Sequence, residues 1–352
     1  MSKRSFLRID GSFGEGGGSI LRLSAGFSLL FDTPIEINNI RANRPKPGLR
    51  LQHLLGLRTL SNLTNSELSK CDVGTTNLSF IPNREIKPKI ETKIGTAASI
   101  GLLLQPIQIA CLGFENSDKI EIYLVGGGTF GKWAPSLNYL KEVSYQIFKR
   151  SGLMIDIEIQ KHGFYPKGDA RVKCVIHPPQ NQLNPINLIE LGNIDHVNGE
   201  IIITKQLRKD IPERIRDSIK QHSNEMLGME ARIKISWVDS SSPGVGLSLW
   251  SHSDTGAIIS TGTILGEKGI PSEKLGLMAV KELNKYVQNR IPVDNYLSDQ
   301  LIPLMAYVKS PSRIKVLEIT SHAKTNLDLI KLFTKRKYKI KREQNGFLIE
   351  YE

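Results

Sequence analysis

Asp10-Gly-Ser-Phe-Gly-Glu-Gly-Gly-Gly-Ser-Ile-Leu-Arg22, followed by Ile40-Arg-Ala-Asn-Arg-Pro-Lys-Pro-Gly-Leu-Arg-Leu-Gln-His53, carries most of the information in this chain. The first stretch sets Gly11, Gly14, Gly16, Gly17 and Gly18 between a strand-like Phe6-Leu7-Arg8-Ile9 and a helix-like run from Ile20 to Leu30. A glycine-rich turn feeding a helix start bares backbone N–H groups that lack partners, and anionic phosphates suit that place. Arg22, Arg41, Arg44 and Arg50 flank it in sequence, and a forked guanidinium pairs with phosphate oxygens two at a time. Glu15 is the odd member. Facing phosphates it would repel them, unless it held a divalent cation bridging the two. A plain glycine turn with solvated arginines is the alternative, but such a turn needs no convergence of this kind.

Outward from there, strand-like and helix-like runs alternate. Strands are expected at Ile35–Ile40, Leu78–Ile81, Lys119–Val125, Met154–Gln160, Arg171–Ile176, Ile201–Thr204, Arg232–Trp237, Lys315–Thr320 and Phe347–Tyr351. Helices are expected at Pro47–Leu60, where Leu51, Leu54 and Leu55 form a stripe, and at Pro135–Ser151. The pattern is α/β (α+β). Glycine-marked strand-to-helix joins recur at Gly11–Gly18, at Gly126–Gly131 and, more weakly, near Pro292–Asp299. The second matches G-x-G-x-x-G, but a dinucleotide site also wants an acid at the end of the next strand. Here Asp156 and Glu158 fall inside that strand, and Lys132-Trp133-Ala134-Pro135 crowds the turn.

The chain has 352 residues, enough for a substantial core, and a net charge of +12. That excess favours a polyanionic partner, although Lys337, Lys339 and Lys341 alternate with Tyr338 and Ile340 as on the wet face of a strand. Cys71, Cys111 and Cys174 stand far apart and odd in number, which argues against disulfides or a zinc site and for a reducing compartment. The start shows no targeting segment, and the apolar run Ile94–Phe114 is interrupted by Gln105, Pro106 and Gln108. It reads as a buried helix running into a strand, in a soluble cytoplasmic protein without a membrane partner.

Among the histidines, His322 stands out. It follows the β-branched run Val316–Thr320, so a loop at a strand end could present its ring, and a neutral imidazole is a competent nucleophile. Tyr296-Leu-Ser-Asp-Gln300 could offer a stacking face and polar edges to a nucleotide. It could equally be a helix start capped by Ser298 or Asp299.

These blocks resemble the RNA 3'-terminal phosphate cyclases. The resemblance runs nearly position for position through Asp10–Arg22 and Ile40–His53. It continues in Gly95-Thr-Ala-Ala-Ser99, Leu102–Gln105, His162–Pro166, Ser242–Gly246, Leu265–Gly269, Tyr296–Leu301 and Ser321–Asn326. It implies a large domain over residues 1–183 and 290–352, built from three repeated units, each a four-stranded sheet with two helices. A smaller α/β domain, residues 184–289, would be inserted between the second and third units. The implied activity is ATP-dependent conversion of an RNA 3'-phosphate to a 2',3'-cyclic phosphate. By the resemblance His322 becomes adenylylated, while Arg22, Arg41 and Arg44 clamp phosphates. Gln52 and Gln105 orient oxygens or the ribose. Tyr296, Leu297, Ser298, Asp299 and Gln300 line the nucleotide pocket, Pro135 stacks on adenine, and Glu15 holds Mg²⁺ or Mn²⁺. Phe130, Lys132 and Trp133 depart from the small or polar residues frequent in that family, and Asp169-Ala170 replaces the more usual glycines. An inactive cyclase-like ribosome-assembly factor would lack the histidine and the acid, both present here. An enolpyruvyl transferase shares only the repeated architecture.

Overall fold

The computed structural model describes residues 5–14, 16–115 and 117–352. In chain order, β1 (Leu7–Asp10), α1 (Gly18–Leu30), β2 (Ile35–Asn38), α2 (Leu51–Thr64), β3 (Glu67–Leu68) and β4 (Leu78–Ile81) build the first sheet, in the order β1-β2-β4-β3. β1 and β2 run parallel and the other pairs antiparallel. The second unit repeats this with β5 (Lys89–Ser99), α3 (Ile100–Cys111), β6 (Ile120–Gly128), a second helical segment, β7 (Met154–Lys161) and β8 (Arg171–His177). Its order is β5-β6-β8-β7, with the same one parallel and two antiparallel pairings. The helical segment is α4 (Leu137–Tyr139), a π-turn (Leu140–Ser144) and α5 (Tyr145–Ser151) in succession.

β9 (Asn187–Leu188) then opens a third unit, and the chain leaves it at once. β10 (His196–Thr204), α6 (Ile211–Leu227), β11 (Glu230–Val238), β12 (Val245–His252), β13 (Ile258–Ser260), β14 (Ile264–Leu265) and α7 (Ser272–Gln288) make a separate sheet, ordered β11-β10-β12-β13 with β14 also on β12. The chain returns through α8 (Asn295–Tyr307), β15 (Ser312–Val316), α9 (Ser321–Ile330), β16 (Tyr338–Glu343) and β17 (Gly346–Tyr351). β9 pairs parallel with β15, giving the order β9-β15-β17-β16. The excursion therefore starts inside the third unit, after its first strand, and not between the second and third units. A two-residue strand has no periodicity for a sequence pattern to reveal.

Local physics explains these elements. In β8, Val172, Cys174 and Ile176 alternate inward while Arg171, Lys173 and Val175 do not, the period-2 signature of a half-buried strand. α1 is buried on all sides: Ile20, Leu23 and Phe27 are at most 1 % exposed, and each such side chain contributes about 2 kcal/mol. It packs on α3 and α9, so the helix layers of the three units share one core. Buried polar bonds also join the units. Arg22 Nε donates to Gln105 Oε1 at 3.2 Å and Gln108 Nε2 to Gln300 Oε1 at 2.8 Å, while within the second unit Tyr145 OH donates to Gln108 Oε1 at 3.1 Å. Asp294 caps α8, accepting from the N–H groups of Tyr296 and Leu297, and complete burial pushes its carboxyl up to about 7.

Three expectations change. The run Ile94–Phe114 is a strand running into a helix, because Gly95-Thr-Ala-Ala-Ser99 continues β5 and Ser99 then caps α3. The cap of α8 is Asp294, so neither Ser298 nor Asp299 serves. The strand before His322 ends at Val316. The basic C-terminal hairpin is largely paired within itself and with β15: Lys341 meets Glu350 at 3.2 Å, Lys315 meets Glu343 at 3.0 Å, and Lys339 meets Glu352. All three cysteines are free and buried, and no helix among the described residues is long and apolar enough to cross a membrane.

The α1–α3 approach gives a test. A Cβ on Gly26 would lie 2.9 Å from the Pro106 carbonyl oxygen and 3.1 Å from Ile109 Cβ. Gly26→Val should therefore cost about 1–3 kcal/mol through overpacking, seen as a lower urea midpoint. An unchanged midpoint would mean the helices separate freely.

Candidate active site

A cavity of about 1300 Å³ lies where these units and the inserted sheet meet. The starts of α1 (Gly18, Ser19), α2 (Gln52, His53), α3 (Leu102 and its cap Ser99) and α9 (Ser321, His322) all reach its wall. The inserted sheet supplies the opposite side through Pro243, Gly244, Val245, Leu265, Gly266 and Glu267. Four helix starts concentrate partial positive charge. None of the four carries an acidic residue in its first turn, whereas α6 and α7, elsewhere, carry Glu213 and Glu273 there. Among the described lining residues Glu267 is the only carboxylate, and Lys132 holds it at 2.8 Å. Ser19 Oγ is buried beside the start of α1 without a hydrogen-bond partner among the described residues. An orphaned hydroxyl in this setting fits a phosphate oxygen.

The glycines permit close approach at two decisive places. Gly14, at φ +58°, leaves room for Thr325 of α9, since a Cβ there would sit 2.6 Å from Thr325 Oγ1. The glycine turn thus lies against the helix that bears His322. At Gly18 a Cβ would collide with the His53 ring. The second sequence block is held by backbone carbonyls of both blocks: Arg41 Nε donates to Gly48 O at 3.2 Å, and Asn43 Nδ2 ties the loop to Ser12 O at 3.3 Å. Burial, and then Arg44 and Arg50, pull the Arg41 pKa below its usual value. His53 Nδ1 accepts the Arg50 N–H at 3.2 Å. Burial first, then Arg22, Arg41 and Arg50, depress its pKa to about 3, so the ring is a neutral member of a cationic cluster.

Arg22, Arg41, Arg44, Gln52 and His322 all line this one cavity. His322 is exposed on the first turn of α9, not on a loop. Thr320 caps that helix, accepting from the Ala323 N–H at 2.9 Å and donating to Asp299 Oδ1 at 3.2 Å. The backbone oxygen of Asp299 accepts from Asn326 Nδ2 at 3.1 Å, so Asp299 braces the base of the helix. Gln105 sits behind Arg22 and Gln300 is engaged with Gln108. Leu297 and Ser298 are fully buried. Tyr296 is half exposed, packed over Gly262 and edge-on to Tyr139 at 6.3 Å. Pro135 follows the lining residue Ala134, with its carbonyl close against Gly101. Glu15 lies outside the described residues, and among those described no group of three or more His, Cys, Asp or Glu could hold a metal ion.

Sequence reasoning gave no role to Ser19, Phe164, Tyr165, Gly244, Gly266 or Glu267, which share the wall. The signal for Ser19 was the matched block Asp10–Arg22, and for the others the blocks His162–Pro166, Ser242–Gly246 and Leu265–Gly269. Gly126-Gly-Gly is no dinucleotide turn: the three glycines finish β6, and Gly126 lies against the Ile94 carbonyl.

The family model for RNA 3'-terminal phosphate cyclase matches residues 13–340. The chain is 35 % identical over 338 residues to a protein of Thermococcus gammatolerans named RNA 3'-terminal phosphate cyclase, covering 96 % of this chain and 95 % of that one. It is 35 % identical over 347 residues to the one so named in Pyrobaculum aerophilum (98 % of each chain), and 36 % identical over 327 residues to that of Pyrococcus abyssi (93 % of each).

The neutrality of His53 is testable. Its folded pKa lies below the unfolded value of about 6.5, so its contribution to stability is complete above pH 6.5 and is lost as the pH falls toward 3. His53→Gln should therefore lose stability less steeply than wild type between pH 6 and 4 in urea titrations. Parallel slopes would show that His53 is protonated in the fold.

Proposed function

The chain belongs to the RNA 3'-terminal phosphate cyclase family, and on that premise we propose that it uses ATP to convert an RNA 3'-phosphate into a 2',3'-cyclic phosphodiester through an adenylylated His322. The observation that carries the reading is the exposed His322 imidazole on the wall that also presents Arg22, Arg41, Arg44 and helix starts free of acidic residues.

The chemistry follows from what a terminal phosphate lacks. A phosphate monoester is a dianion, and its 2'-hydroxyl neighbour will not displace oxide from it. Adenylylation supplies a leaving group. In the first step an imidazole nitrogen of His322 bonds to the α-phosphorus of ATP as the bond to pyrophosphate breaks. In the second an oxygen of the RNA 3'-phosphate takes over that phosphorus, and the N–P bond breaks. In the third the 2'-hydroxyl bonds to the RNA phosphorus, loses its proton and expels AMP. Closing that ring requires little beyond proximity, which alone is worth several powers of ten.

The residues around His322 divide the remaining work. Arg22, with its Nε held by Gln105, and Arg41, held by Gly48 O, face the cavity in fixed orientations suited to phosphoryl oxygens gaining charge. Arg44 is exposed on the same wall and adds charge at the mouth. Gln52 would orient an oxygen, and the family resemblance assigns Tyr296 and Pro135 to the base. Mg²⁺ or Mn²⁺ entering with the nucleotide would neutralise phosphate charge, with Glu15 the candidate ligand. RNA with a 3'-phosphate is the partner this reading requires, and three buried free thiols suit the reducing cytoplasm.

Two measurements test the reading. Incubated with α-labelled ATP, wild type should retain an acid-labile label that His322→Ala lacks, while the variant still binds ATP. Label persisting in the variant would move the nucleophile to another residue. Separately, EDTA should abolish activity, and Glu15→Gln should require far more Mg²⁺ or Mn²⁺ than wild type for half-maximal rate. Superimposable metal titrations would remove Glu15 as a ligand.

A further inference from the structure

Two tight loops of the second unit reach the mouth of the cavity, Phe130–Ala134 and Phe164–Gly168. Each is closed by an isolated bridge, Gly131 to Ala134 and Phe164 to Gly168. Each begins with a buried phenylalanine, and the two rings stack with centroids 5.1 Å apart and planes 5° from parallel. Both rings press on glycines of the inserted module, Phe130 on Gly246 and Phe164 on Gly244, where no side chain could stand. The loops are therefore anchored from below. Each then presents a second aromatic that is not buried: Trp133 is 90 % exposed and Tyr165 81 % exposed, and both line the cavity.

Single exposed aromatics are ordinary on protein surfaces. Here two occur on one cavity wall, on loops built in the same way, and Trp133 is held at φ +58°, a left-handed conformation that a bulky residue rarely adopts. Lys132 lies 5.3 Å from the Trp133 ring centroid and is itself fixed by Glu267. The arrangement spends backbone strain and apolar exposure at the mouth of a phosphate-binding cavity, and sequence-tolerant base stacking on aromatics is the chemistry that uses such a surface.

We propose that Trp133 and Tyr165 form a stacking platform for the last nucleobases of a single-stranded RNA whose 3'-phosphate enters the cavity. This rests on the cyclase reading and adds a binding subsite to it. The platform stands at the mouth, where a polynucleotide must leave the cavity, and the arginines lie on the walls where its phosphate arrives. Discrimination comes from the presence of a base and not from its identity, because every base has a π-face.

The test uses the full-length enzyme and 3'-phosphorylated RNA decamers, either intact or with abasic riboses at the last two positions. Wild type should cyclise the intact end with kcat/KM about tenfold or more above the abasic end. In Trp133→Ala/Tyr165→Ala this preference should collapse toward unity, while Trp133→Phe keeps most of it. Formation of enzyme–AMP from ATP alone, which involves no RNA, should change less than twofold in the double variant. RNA without ATP should quench tryptophan emission in wild type, and Trp133→Phe should lose most of that quench. A double variant with wild-type discrimination overturns the platform. So does one whose enzyme–AMP formation falls with the same factor, because the aromatics would then serve the adenine of ATP. Wild type that forms no enzyme–AMP at all would instead sink the cyclase reading itself.

Discussion

The structure depends on gathering positive potential in one place without unfolding around it. Four helix starts and a set of arginines share a cavity wall on which Glu267 is the only described carboxylate. Like charges at close range repel by several kcal/mol unless solvent or counter-groups intervene. The chain answers with neutral and dipolar partners: Gln105 holds Arg22, backbone oxygens hold Arg41, and His53 stays uncharged among them. Keeping acids out of the first turns preserves the field for an incoming anion, at the cost of helix-start stabilisation that α6 and α7 retain through Glu213 and Glu273.

The repeated unit explains how the helix starts come to meet. Each unit pairs two parallel strands and follows each with a helix, so helix N-termini stand at the carboxyl ends of both strands. Packing α1 between α3 and α9 turns neighbouring units so that these ends face one space. Gly26 lets α1 and α3 approach, and Gly14 brings the glycine turn onto Thr325, so the two ends of the chain complete one site. The inserted sheet closes that space from the far side. It is tied to the second unit by Asn138 Nδ2 donating to Glu200 at 2.7 Å and Ser136 N–H to Thr263 Oγ1 at 2.8 Å.

Much is legible in the sequence, because it rests on local chemistry. Period-2 alternation located Met154–Gln160 and Arg171–Ile176 well, and the glycine-and-arginine blocks supply Gly17, Gly18, Arg22, Arg41 and Arg44 to one cavity. Short elements escaped: β9 has two residues and no period, and the start of α9 offers a sequence reader no sign that strand character has already stopped at Val316.

The sequence by itself determined the class of fold, the family and part of the set of side chains around the cavity, Arg22, Arg41, Arg44, Gln52 and His322. Which side chains face it was decided only by tertiary packing, since a side chain's exposure depends on elements distant in the chain. Gln105 lies 83 positions from Arg22, yet it is turned behind the arginine as its brace. Gln300 is spent on Gln108, 192 positions away. Trp133 and Tyr165 stand in the open because Phe130 and Phe164, their near neighbours in sequence, found glycines of the inserted sheet to lie on.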